Sequence, residues 1–336
     1  MRDTLERYQV WLYLSGILAG MALGHSLPET TAYFEEMLWP VLGVLLYATF
    51  TQIPLTHLAR AFRDKRFNAA LVLGNFLVMP GIVWLLMFLA PADPAVRLGI
   101  LLVLLVPCTD WFISFTHLGG GDGTRAIAAS PILLILQIVL LPLYLWLFLD
   151  EAMVDANLAG HLLPVFFGLI LTPLLLAWLT EKGAEKRPKV ERLVSALGWL
   201  PVPALTLVVF LVAGSQIALV TESGGILWLL LVIFTLYLVA AALAGQLLSR
   251  IFDLPGARGR TLAYSFGTRN SFVVLPFAIA LPDLWAPAVV VIVFQSLVEL
   301  FGMTGYVKWL PRLIRASDQS PNTGPGTSKS TTQTPY

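Results

Sequence analysis

Residues 105–118, LVPCTDWFISFTHL, and 264–276, YSFGTRNSFVVLP, decide how this chain is read. Each is an apolar run with a polar interruption: Pro107-Cys108-Thr109-Asp110 in the first, and Gly267-Thr268-Arg269-Asn270-Ser271, with Pro276 beyond, in the second. Proline removes a backbone donor and collides with the preceding turn, and glycine lowers helix propensity, so both runs are predicted to be broken helices. Around them the chain is too apolar for a water-soluble fold. Of 336 residues 57% are hydrophobic and 12% charged, about half the charged share of an ordinary soluble domain, and mean hydropathy is +0.80.

A helix needs about twenty mostly apolar residues to cross roughly 30 Å of hydrocarbon. Apolar runs separated by charged or Pro/Gly breaks predict ten spans, at 8–25, 37–57, 68–90, 97–118, 124–149, 158–180, 193–214, 225–250, 261–282 and 286–310. All but two of the 21 Lys and Arg residues then fall on the side holding both termini; Arg97 lies opposite and Arg269 lies within the ninth span. Cytoplasmic loops retain positive charge, so both termini are expected in the cytoplasm, with the chain in the cell inner membrane. The first span follows a segment with both signs of charge and has no small-residue cleavage site, so it is expected to be retained. Residues 1–315 are read as one transmembrane domain, and the Ser/Thr/Pro-rich segment 316–336 as a disordered tail.

The chain divides at the acidic stretch 150–157 into halves of five spans, about 8–149 and 158–310. Five is odd, so the second half enters the membrane inverted relative to the first. The broken span is the fourth in each half. Corresponding broken helices in inverted repeats point to a substrate site, because unwound backbone at membrane depth is tolerated only where protein or a cavity satisfies it.

The chemistry gathers at those breaks. Charges inside a membrane are costly unless paired or hydrated, so Asp110 and Arg269 are expected to face the interior and to meet as an ion pair or through one water. Asp110 and Arg269, with Glu299 in the tenth span, are the candidates for ion or proton coupling. Cys108, Thr109, Arg269, Asn270 and Ser271 are the substrate-binding candidates. A thiol suits soft metals and metalloids, and hydroxyl and amide groups suit a small polyhydroxylated solute or a carboxylate. Asn270 and Ser271 suit the start of a restarting half-helix equally well. Gln52, Asn75, Gln137 and Gln295 in other spans rank second, with interhelical hydrogen bonding their expected role. One cysteine permits neither an intrachain disulfide nor a thiolate cluster. There is no phosphate-binding Gly-x-x-x-x-Gly-Lys-Ser/Thr loop, and no His or carboxylate pair at helical spacing within a span. An enzyme is therefore not expected, nor a cofactor, a metal centre or a nucleic-acid partner. The expected partners are a small solute, a coupling ion (H+ or Na+) and the lipid bilayer.

Residues 105–130, LVPCTDWFISFTHLGGGDGTRAIAAS, and 264–282, YSFGTRNSFVVLPFAIALP, resemble the fourth and ninth spans of the bile acid:sodium symporter superfamily. The likeness extends over the ten-span plan, although only these two segments are specific. Within the superfamily the chain is most similar to the arsenical-resistance permeases, which export arsenite: aligning their Leu-x-x-Gly-Asp loop with Leu118, Gly121 and Asp122 places their span-four cysteine on Cys108. The chain also departs from the pattern. The family's acidic residue in span nine aligns with Val273, and the Ser-Asn pair that binds sodium in the bile acid carriers aligns with Phe112 and Ile113. The resemblance implies a secondary transporter working by alternating access, for arsenite or alternatively for an organic anion or carboxylate held by Arg269, without the family's usual sodium ligands.

Overall fold

The computed structural model describes residues 2–27, 29, 31–54, 64–148, 164–215 and 224–315. The acidic midpoint at 150–157 and the tail at 316–336 lie outside the described residues. Among those described, every regular element is helical. The helices are α1 (Arg2–Ser26), α2 (Thr31–Phe50), α3 (Lys65–Leu86), α4 (Pro94–Leu104), α5 (Trp111–Leu118), α6 (Gly123–Phe148), α7 (Phe166–Ala184), α8 (Pro188–Leu197), α9 (Pro201–Ser215), α10 (Gly224–Ile251), α11 (Gly256–Gly267), α12 (Ser271–Ile279) and α13 (Pro287–Leu313).

Five stretches are long and apolar enough to cross a membrane: Lys65–Leu86, Gly123–Tyr144, Phe166–Ala184, Gly225–Ile251 and Asp283–Leu313. A sixth results if α8 and α9, bent by 41°, are taken together. Exposed Trp11, Trp84, Phe88, Trp228 and Phe301 mark the kind of surface lipid covers. The expected seventh span, 193–214, is not one helix. Pro201 cannot donate to the turn before it, so the chain breaks over Gly198–Leu200 and restarts at Pro201. The residues before the break form α8, an amphipathic helix with none of its residues fully buried.

Two groups of helices pack around separate seams. In the first, α1 lies along α9, α9 along α2, and α2 along α7. Glycines every fourth residue make the first of these contacts: a Cβ on Gly20 would lie 2.1 Å from the Phe210 carbonyl oxygen, and one on Gly24 would lie 2.2 Å from that of Gly214. Small residues at this spacing let helix backbones touch. In the second group α10 packs on α11 and α13, α4 on α13, and α5 on α6. The two groups meet where α12 reaches α2.

The loop between α5 and α6 is clamped onto α11. Gly120 takes φ +66, a conformation that favours glycine, and its carbonyl accepts from Arg260 Nε and Nη2 at 2.9 and 2.6 Å. The Asp122 amide donates to Thr261 Oγ1 at 2.7 Å. A Cβ on Gly119 would collide with Tyr264, and one on Gly121 with Thr116 and Thr261. Of the aligned residues, Gly121 and Asp122 thus belong to a docked turn, while Leu118 ends α5 with its side chain exposed. Beside it Asp64 accepts from Arg125 Nε at 2.7 Å and pairs with Arg258 at 2.9 Å, while Arg125 also bonds Asp122. This network ties the start of α3 to α6 and α11. Burial alone raises the Asp64 carboxyl. The hydrogen bonds from Arg125 and the Phe67 amide, with the charges of Arg258 and Arg125, outweigh it and hold the group below its ordinary value.

Candidate functional site: the crossing of two broken helices

The breaks between α4 and α5 and between α11 and α12 run antiparallel and pair with each other. The Cys108 amide donates to the Thr268 carbonyl at 3.1 Å, and the Asn270 amide donates to the Val106 carbonyl at 2.8 Å. These bonds make a β-bridge between Pro107 and Arg269, the single bridge among the described residues. The polar backbone that each break frees is satisfied by the other, which is how irregular chain persists inside a helical bundle. Pro107 and Gly267 mark the two breaks, which come together as expected, whereas Pro276 is carried inside α12 without interrupting it.

Side chains complete the crossing. Cys108, Thr109, Thr268, Arg269, Asn270, Ser271, Gln295 and Glu299 are all buried there, as are Asn75 and Ser265. Asn270 caps α12, its Oδ1 accepting from the Val273 amide at 3.3 Å. Ser271 Oγ donates to Gln295 Oε1 at 2.9 Å, and Gln295 Nε2 donates to Glu299 Oε2 at 2.9 Å. The same Glu299 oxygen accepts from the Arg269 backbone amide at 2.9 Å. Glu299 Oε1 and Arg269 Nε find no partner among the described residues.

The expected contact between Asp110 and Arg269 is not what forms. The Arg269 guanidinium gives Nη2 to Asn75 Oδ1 at 2.9 Å, to the Ser265 carbonyl at 3.0 Å and to the Phe266 carbonyl at 2.7 Å. Its Nη1 points at the Leu104 carbonyl at 3.4 Å, and the Tyr237 ring lies 5.4 Å away. Antiparallel pairing is the reason: it sets Arg269 opposite Pro107 rather than Asp110, and the long side chain turns back toward the carbonyl ends of α4 and α11. Asp110 instead begins α5, where it lines a cavity with Gln9, Thr49, Gln52, Trp111 and Ser114, between α1, α2 and α9 on one side and α5 and α12 on the other. A second cavity opens at the opposite end of the same seam, lined by Glu35, Trp39, Ser215, Ala278 and Asp283.

Asn75 has a larger part than its second rank suggested. It lies in a single π-helical turn, Gly74–Val78, within α3. The extra residue of such a turn re-aims side chains and often marks functional sites. Here Asn75 Nδ2 bonds the Leu71 carbonyl and Ser265 Oγ while its oxygen takes Arg269. A Cβ on Gly74 would sit 2.0 Å from the Phe266 ring, so glycine admits this close approach. Ser265 was missed altogether. Its only signal was a lone hydroxyl one turn before Arg269.

No curated protein matches the sequence. The family model for the sodium bile acid symporter family matches residues 39–223, more than half of the 336 residues and including the first arm of the crossing. The chain therefore belongs to the sodium bile acid symporter family.

Proposed function

We propose that this multi-pass membrane protein is a secondary transporter of ten spans in two inverted repeats, with both termini in the cytoplasm of a cell whose inner membrane it occupies. The group containing α4, α5, α11 and α12 moves against the group of α1, α2, α7 and α9. The observation that carries the reading is the paired crossing of the two breaks, with a cavity at each end of the seam between the groups. Access would alternate between the cavity at Gln9 and Ser114, facing the cytoplasm, and the one at Glu35 and Ser215, facing out.

For the substrate we infer arsenite, as undissociated arsenous acid, moved outward with a proton or the membrane potential. Of the two classes the resemblance allows, the neutral solute is better supported. The guanidinium that would clamp a carboxylate is already bonded to four oxygens. The cavity at Asp110 offers hydroxyl and amide groups and no cationic side chain among its described residues. Cys108 would supply the soft ligand, Thr109, Asn270 and Ser271 the hydrogen bonds, and Asp110 and Glu299 the coupling proton's path.

Arsenite accumulation in an arsenite-sensitive bacterial host tests this, with wild type and Cys108→Ser at matched membrane expression. Lower accumulation in the wild type than in the empty host, lost in the variant, is the expected result. Accumulation equal to that of the empty host would overturn the metalloid reading.

A further inference from the structure

Arg269 stands in an unusual cage. Its guanidinium contacts one side-chain amide oxygen and three main-chain carbonyls, and no carboxylate lies within ion-pair distance of it among the described residues. Those carbonyls belong to Leu104, at the end of α4, and to Ser265 and Phe266, in the last turn of α11. The last carbonyls of a helix lack intrahelical partners and form the negative end of its dipole. The α11 end and the Asn75 oxygen converge on Nη2, and the α4 end faces the neighbouring Nη1 of the same guanidinium. Neutral oxygens gathered in this way replace the hydration shell of a small monovalent cation. The cation present is instead part of the chain.

The family's name implies sodium, and this oxygen set does not fit it. A guanidinium already uses the oxygens, and a second positive charge a few Å away would be strongly repelled in so dry a place. The buried Glu299 meets Arg269 through the backbone alone, one carboxyl oxygen receiving that residue's amide hydrogen. We propose that Arg269 is a tethered cation that takes the place of sodium at the helix crossing, making the folded crossing, and the transport proposed above, independent of Na+. The transport clause rests on the secondary-transporter reading; the structural clause does not.

The test is thermal unfolding of the purified full-length protein in detergent, in sodium, potassium and choline chloride at equal ionic strength. Wild type is expected to unfold at the same Tm in all three, within about 1 °C. Arg269→Ala uncovers the oxygens and should be destabilised in choline, then regain about 3 °C or more with saturating Na+ in a dose-dependent way. Arg269→Lys, which keeps a tethered monovalent charge, should stay indifferent to Na+. Selective stabilisation of the wild type by Na+ would overturn the proposal, and so would an Arg269→Ala protein equally weakened in all three salts, the mark of a mere staple. Should the alanine variant fail to fold, Arg269→Gln takes its place, and the wild-type comparison stands without either. Loss of the arsenite phenotype alone would count against the transport reading and leave these melting curves untouched.

Discussion

At the scale of single residues, the buried polar groups of the crossing are strongly interdependent. Asn75 accepts from Arg269 and donates to Ser265, so Asn75→Ala leaves a buried charged donor short of a partner, a loss of about 2–3 kcal/mol. Chemical or thermal unfolding in detergent should show that loss, whereas an exposed polar residue such as Ser15 changed to alanine should cost no more than about 0.5 kcal/mol. Asp110 faces a cavity and not the guanidinium, so its expected part is proton exchange. Asp110→Asn should lose the dependence of transport on an imposed pH gradient; full retention of that dependence would contradict the assignment. The sequence disclosed the identities of these residues but not their partners. Cys108, Thr109, Arg269, Asn270 and Ser271 stood out because polar groups in an apolar run are conspicuous. That Arg269 turns toward Asn75 and away from Asp110 depends on which backbone atoms pair at the crossing, a fact of three dimensions with no local signature.

At the scale of elements, two devices hold the helices in place. The glycine face of α1 is the first. Gly20→Leu should drive α1 off α9, because even a Cβ meets the Phe210 carbonyl at 2.1 Å, and a destabilisation of about 2–3 kcal/mol is expected. A wild-type melting temperature in that variant would argue against the packing described. The second device is the Asp64–Arg125–Arg258 network. The folded Asp64 carboxyl is held below its ordinary value, so its contribution to stability is fully present above the usual carboxylate range. That contribution is lost as pH falls through the lowered value. Asp64→Asn should therefore lower Tm at neutral pH, and the gap from wild type should close as the pH is brought down. A gap independent of pH would show that the charge has no part in it. At this scale proline and glycine made the breaks in the fourth and ninth spans legible. The π turn that aims Asn75 was not, since a single inserted residue leaves the apolar pattern of α3 nearly unchanged. The bend between α8 and α9 was also missed, because Leu193 and Val194 extend the apolar run through a Gly-Trp-Leu-Pro sequence that in fact breaks it.

For the whole molecule, composition alone placed the chain in a membrane, because no soluble domain can expose so much apolar surface with so few charges. The separation into two helix groups was not readable in the same way. It depends on which helix faces touch, and every span is apolar on most of its circumference. The seam between the groups, with a cavity at each end, is the feature on which the account of transport stands. The most direct test is a wedge. In membranes, a bulky maleimide on Ser114→Cys should hold open the cavity it lines and thereby close the other, so that Ser215→Cys at the far end reacts more slowly in the modified double variant than in the single one. The wild type, whose Cys108 is buried, gives the background. Labelling of Ser215→Cys slowed by the wedge is the predicted result; a labelling rate that does not change with the wedge would contradict alternating access across this seam.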